Sequence, residues 1–104
     1  MIRMNVGLTN SCFEESLAVM VFHVDVPDYD GRWIRLKWED GAMLRVQMSG
    51  TEVLVAGNKE GLRSLANHLL NLSQEAVPAG THVHLDENNS LEEGSAELIV
   101  QREA

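Results

Sequence analysis

Three residues near the C-terminal end of the chain have side chains that bind metals and alternate with apolar residues. His82, His84 and Asp86 are separated by Val83 and Leu85. Because successive side chains of a β-strand point to opposite faces, all three would project from one face. Two imidazoles and a carboxylate are typical zinc ligands, although zinc usually takes its ligands from more than one element. The spacing raises a metal-binding hypothesis, and an exposed polar strand face is the simpler interpretation.

Other catalytic signals are missing from the sequence. It contains no nucleophile elbow, phosphate-binding glycine loop, paired-cysteine motif or helical His-Glu-x-x-His motif. The single cysteine, Cys12, is followed by Glu14 and Glu15, whereas reactive thiols lie in electropositive surroundings. We therefore expect no enzymatic activity and no cofactor.

A second kind of candidate residue is suited to binding a protein. Trp33 and Trp38 are five positions apart, so on a strand they face opposite sides. Trp38 shares its side with Leu36 and is assigned to the core. Trp33 is then a candidate interface anchor, with Glu39 and Asp40 of the following turn as further interface positions. The alternative, that another element covers Trp33, stays open.

Composition and charge limit the partners. The chain has 104 residues, of which 44% are hydrophobic, and a formal net charge of -8. This is the size of one domain, predicted to span residues 1–104.

The negative charge argues against nucleic acid as a partner, and no segment has the roughly 20 apolar residues that cross a membrane. With one cysteine and no signal peptide, a cytoplasmic location is expected. The negative net charge either keeps the protein soluble or attracts it to a basic partner.

Two turns define the central part of the predicted sheet. A three-residue turn over residues 39–41, with Gly41 in the left-handed conformation, pairs Leu36 with Leu44. A two-residue turn at Ser49-Gly50 pairs Val46 with Val53. Both turns place apolar residues on one face. The pattern predicts a three-stranded meander over about residues 32–56.

One helix is predicted over about residues 59–74, with Asn58 as its N-cap. Residues at helical spacing form an apolar stripe that we expect to pack on the sheet: Leu62, Leu65, Ala66, Leu69, Leu72 and Ser73. Arg63, Asn67 and Asn71 lie on the opposite side, which we expect to face solvent.

The predicted fold class is α+β, with a mainly antiparallel sheet and one helix packed on one of its faces. The strands are expected at about residues 2–8, 17–26, 32–38, 42–48, 51–56, 81–86 and 96–102. Runs of β-branched and aromatic residues between turn-forming segments support these assignments.

The C-terminal half of the sequence resembles a known family. Its features are a strand ending at Gly57, a helix start at Glu60-Gly61-Leu62, the alternating strand over residues 82–86, and the aliphatic strand over residues 97–100. In this order they resemble the immunity protein 32 family of bacterial polymorphic toxin systems. The resemblance implies a cytosolic antidote that is encoded beside a toxin and blocks the toxin domain by binding it. It identifies no toxin-binding residue.

Three functional hypotheses follow from the sequence. The leading one is an immunity protein that blocks a cognate toxin by steric and electrostatic occlusion; a basic toxin would suit the acidic charge. The second is a small metal-binding protein or enzyme that uses His82, His84 and Asp86. The third is a structural domain that self-associates into a homo-oligomer through an exposed strand face or sheet edge.

Overall fold

A computed structural model of the chain describes residues 18–104. It contains five elements, in the order β1 (Leu44–Ser49), β2 (Glu52–Gly57), α1 (Lys59–Leu72), β3 (His82–Leu85) and β4 (Leu98–Gln101). The strands form two antiparallel pairs, β1 with β2 and β3 with β4, which confirms the α+β class. Within residues 18–104, no helix is long and apolar enough to cross a membrane. The strand predicted at residues 2–8 and the first residue of the strand predicted at 17–26 lie outside the described residues.

The β1–β2 hairpin turns one residue later than predicted. Ser49 pairs with Glu52, so the two-residue loop is Gly50-Thr51, and Val46 pairs with Val55 rather than Val53. Gly50 takes the first loop position with φ of +60°, a conformation that favours glycine in tight hairpins. The correction changes the register by two residues. Because side chains alternate with a period of two, the predicted buried face is unchanged.

The β3–β4 hairpin is joined to the first hairpin by the loop that precedes β4. The Glu92 and Ala96 amides donate to the Leu44 and Val46 carbonyls at 2.9 and 2.8 Å, and the Val46 amide donates to Ser95 Oγ at 3.2 Å. This loop therefore occupies the edge of β1 that β2 leaves free. The two strand pairs are fixed to each other through it.

Two predicted strands are not formed. Residues 18–26 and 32–38 do not form strands in the described part of the chain. The prediction of a three-stranded meander is therefore wrong, and Leu36 does not pair with Leu44. The turn at residues 39–41 does form, with φ of +79° at Gly41. Side chains still alternate, since Leu36 and Trp38 pack on the core while Lys37 is exposed. The alternation of buried and exposed side chains in this segment therefore did not indicate pairing with another strand.

The segment over residues 25–39 binds to the helix instead of to a strand. Asn67 Nδ2 donates to the Asp25 carbonyl at 2.9 Å, and Asn71 Nδ2 donates to the Arg35 carbonyl at 2.8 Å. The Glu39 amide donates to Ser64 Oγ at 2.9 Å. Polar side chains of α1 therefore satisfy backbone groups that a neighbouring strand would satisfy in a sheet.

The orientation of α1 is the main correction to the sequence prediction. Its start is as predicted, because Asn58 Oδ1 accepts the Gly61 amide at 2.8 Å. Two of the three residues expected to meet solvent, Asn67 and Asn71, are buried, and Arg63 is exposed as expected. The other buried residues of the helix are Gly61, Ser64, His68 and Leu72. Of the predicted apolar stripe, Leu65 packs on the core and Leu72 is buried, but Leu62, Ala66 and Leu69 are exposed.

Close packing explains part of this orientation. A Cβ atom placed on Gly61 would overlap the backbone carbonyl of Met43, so this turn of the helix approaches the chain before β1 as only glycine allows. The apolar core lies between the strand pairs and is completed by the helix and the segment before β1. Its buried members are Leu44, Val46, Leu85 and Leu91, with Leu36, Trp38, Val55, Leu65, Ala96 and Leu98 packed against them.

Candidate functional site

The buried face of α1 contains a histidine in an apolar setting. His68 is fully buried, and neither ring nitrogen has a hydrogen-bond partner among the described residues. Its ring meets Trp38 edge to face, with 4.5 Å between centroids. Burial lowers the pKa of His68 to about 4, so the ring is neutral at pH 7. We interpret His68 as a core aromatic residue rather than an acid–base group.

The alternating histidines have local partners on the surface. His84 Nδ1 lies 2.7 Å from Glu97 Oε2, and His82 Nδ1 lies 2.9 Å from the Gly80 carbonyl. The two rings are 5.0 Å apart between centroids. Across residues 18–104, no group of three or more His, Cys, Asp or Glu side chains is arranged to hold a metal ion.

Asp86, the third residue of the predicted metal set, has a structural role. Its carboxylate accepts the Asn88 amide at 2.9 Å and the Asn89 amide at 3.1 Å. Such contacts are typical of aspartate at the start of a turn. The geometry therefore lends the metal hypothesis no support, and the hypothesis rests on spacing alone.

The three predicted interface residues are all on the surface. Trp33 is 62% exposed, and the Arg32 guanidinium lies 5.6 Å from its ring centroid. Asp30 Oδ1 accepts the Trp33 and Arg32 amides at 3.0 and 2.8 Å, which holds the pKa of Asp30 below its usual value. Glu39 and Asp40 are also exposed. A role for Trp33, Glu39 and Asp40 in binding stays a prediction.

One uncovered apolar surface lies along α1. A groove of about 780 Å³ separates the helix from residues 22–25, and we call it the helix groove. Its apolar lining is Phe22, Val24, Leu62, Ala66 and Leu70, and its charged lining is Asp25, Lys37, Glu39, Lys59 and Arg63. The charged residues include both signs, and the Arg63 guanidinium lies 5.8 Å from the Phe22 ring centroid.

A second uncovered surface lies under the end of the β1–β2 hairpin. A groove of about 900 Å³, which we call the hairpin groove, is lined by Gln47, Met48, Ser49, Glu52, Val53, Leu54, Gly94, Ser95 and Ala96. Met48 and Val53 are a cross-strand pair and extend the inward face of the hairpin beyond the core. They are 67% and 56% exposed, because the strands continue past the elements that would cover them.

The border of the hairpin groove is acidic. Glu52 lines the groove, and Glu93 and Glu97 flank the segment that forms its other wall. Glu87 supports this wall, since its Oε1 accepts the Gly94 amide at 2.7 Å. Residues 86–101 include five acidic residues and neither lysine nor arginine. A cation approaching the groove from this side meets a negative potential.

Comparison with known families identifies the chain. The family model of immunity protein 32 matches residues 52–103, which is half of the sequence. The protein belongs to the immunity protein 32 family. The match confirms the resemblance predicted from the C-terminal half and gives this protein an immunity role in general terms. No curated protein and no solved structure gives a significant match.

The immunity protein's matched span includes β2, α1, β3 and β4 but not β1. It also includes six of the nine residues that line the hairpin groove, namely Glu52, Val53, Leu54, Gly94, Ser95 and Ala96. Sequence reasoning missed this groove because Val53 was assigned to the buried face of the sheet. The signal was there: apolar residues follow both strands nearly to the turn.

Proposed function

We propose that this immunity protein binds a cognate toxin domain in the cytoplasm of the producing cell and blocks it by occlusion. Membership of the family over residues 52–103 supports this proposal. Occlusion requires only a stable protein–protein complex that covers the working surface of the toxin, so it requires no chemistry from the inhibitor. The exposed apolar grooves give the protein surfaces suited to such a complex.

The charge of the chain supports a basic toxin as the partner. A net charge of -8 attracts a positively charged domain and raises its association rate. Enzymes that act on nucleic acid have basic surfaces for the phosphate backbone. An acidic inhibitor can cover such a surface by electrostatic complementarity as well as by its shape.

The local chemistry favours binding over catalysis. The imidazole of His84 is bonded to Glu97, the carboxylate of Asp86 holds a turn, and His68 is neutral in the core. Each of these side chains thus has a structural explanation. A purely binding function accounts for them without a reaction centre.

Coexpression with the toxin tests the proposal. The gene adjacent to that of the immunity protein is expected to encode the toxin domain, which should arrest growth when expressed alone. Coexpression with the immunity protein should restore growth, and the two proteins should elute together in size-exclusion chromatography. An unrelated acidic protein of similar size is the control. Continued growth arrest with no complex would refute the proposed function.

A further inference from the structure

We propose that the hairpin groove is the docking site for the toxin, and that it takes a basic segment carrying an apolar anchor. The inference rests on the proposed function and adds the surface and the chemistry of its partner. The floor of the groove, Met48 and Val53, is apolar and largely exposed. Specific interfaces usually combine a desolvated apolar centre with a polar rim.

The charges around the groove select the partner segment. Glu52 lines it, and the exposed Glu93 directly precedes its second wall. Lysine or arginine side chains on either side of the apolar anchor would meet these carboxylates at the rim. Such contacts mainly accelerate association and exclude acidic or neutral segments.

The groove is held in shape before binding. One wall is the β1–β2 hairpin and the other is the segment over residues 94–96, which is bonded to β1 by Ser95 and Ala96. Glu87 holds Gly94 from the other side. A preformed site loses little conformational entropy on binding, which favours high affinity.

The helix groove is a weaker choice for the same partner. Lys37, Lys59 and Arg63 lie along it beside Asp25 and Glu39, so its charges do not favour a basic segment. Its residues 22–25 also lie outside the span that matches the family. The charged residue that lines the hairpin groove is Glu52, and this groove lies mainly within that span.

Binding of the purified product of the adjacent gene, inactivated by substitution, tests the inference. We expect the double variant Glu52→Lys/Glu93→Lys to weaken binding at least about tenfold, mainly by slowing association. The double variant Met48→Ala/Val53→Ala should weaken it by about tenfold through faster dissociation. All four side chains are exposed, so circular dichroism and thermal unfolding should show a folded protein.

Matched controls use exposed residues outside both grooves. Glu75→Lys repeats the charge change, and Ile99→Ala repeats the loss of an exposed aliphatic side chain; both should bind as the wild type does. Wild-type affinity in both hairpin variants would overturn the inference, as would loss of binding in Leu62→Asp/Leu70→Asp alone. If the wild-type protein itself neither binds nor neutralises the toxin, the proposed function is at fault rather than the choice of groove.

Discussion

At the scale of single residues, His68 shows how burial determines chemistry. Both of its ring nitrogens are buried without a hydrogen-bond partner in the described part of the chain, and its ring packs on Trp38. An imidazolium in this position would lose its hydration without gaining an opposite charge. The neutral form is therefore favoured, and protonation is linked to unfolding.

His68 should make stability depend on pH. Its pKa is 6.5 when unperturbed and about 4 in the folded protein. Between these values the unfolded chain takes up a proton that the folded chain does not, so the stabilisation present above pH 6.5 is lost as the pH falls toward 4. The shift corresponds to a loss on the order of 3 kcal/mol in the free energy of unfolding.

Chemical denaturation between pH 4 and 7 measures this effect. The variant His68→Phe keeps an aromatic ring beside Trp38 but cannot titrate, so its stability should fall less over this range. His82→Gln removes an exposed histidine and should follow the wild type. A constant stability difference between wild type and His68→Phe across the range would contradict the role assigned to His68.

At the scale of secondary-structure elements, polar side chains of α1 bind the backbone of the segment that precedes β1. Asn67, Asn71 and Ser64 bind backbone groups of the segment over residues 25–39. Beyond α1, Gln74 Nε2 donates to the Pro27 carbonyl and Gln74 Oε1 accepts the Tyr29 amide. These bonds hold in place a segment without a strand partner among the described residues, and Leu62, Leu69 and Leu70 of α1 stay exposed.

Loss of one helix amide should loosen this segment. Asn71→Leu removes the donor to the Arg35 carbonyl and the acceptor of Gln74 Nε2. We expect a loss of about 2 kcal/mol in the free energy of unfolding, because buried polar groups are left without partners. Hydrogen-exchange mass spectrometry should show faster exchange in residues 25–39 and little change in β3 and β4.

The exposed Asn88 offers a control for this experiment. Its backbone amide binds Asp86, and Asn88→Ala keeps that amide, so stability should change by less than about 0.5 kcal/mol. Unchanged exchange in residues 25–39 of Asn71→Leu would show that the amides of α1 do not hold the segment.

At the scale of the whole molecule, acidic charge and uncovered apolar surface occur together. The chain has twice as many acidic as basic residues, 16 against 8. Residues 86–101, with five acidic residues and neither lysine nor arginine, include one wall of the hairpin groove. Long-range attraction to a partner depends on the net charge, whereas the stability of the final complex depends on contacts within the interface. The two contributions respond differently to salt.

Raising the salt concentration should therefore slow association with a basic toxin more than it speeds dissociation. From 50 to 500 mM NaCl we expect the association rate constant to fall by about tenfold or more, since screening shortens the range of the attraction. Stopped-flow fluorescence measures this rate. Glu52→Lys/Glu93→Lys should show a smaller salt dependence than Glu75→Lys. An association rate independent of salt would rule out electrostatic steering.

The family, the net charge and the local conformation of most described elements could be predicted from the amino-acid sequence. Alternation and turn residues predicted β1 to β4, and the Asn58 cap with helical spacing predicted α1. These features depend on residues close together in the chain. The exposed position of Trp33 was one of two alternatives that the sequence left open.

Which surfaces are covered depends on contacts that form only in the folded protein. The segment over residues 32–38 has the alternation of a strand, but its Arg35 carbonyl bonds to Asn71, 36 residues away. The close approach of Gly61 to Met43 and the amides of α1 turn Leu62, Leu69 and Leu70 outward. The periodicity of apolar residues indicates whether a segment favours a helix or a strand, whereas its burial depends on contacts with residues distant in the sequence. The candidate grooves are products of those contacts, although the apolar residues near the turn of the β1–β2 hairpin gave a local signal for one of them.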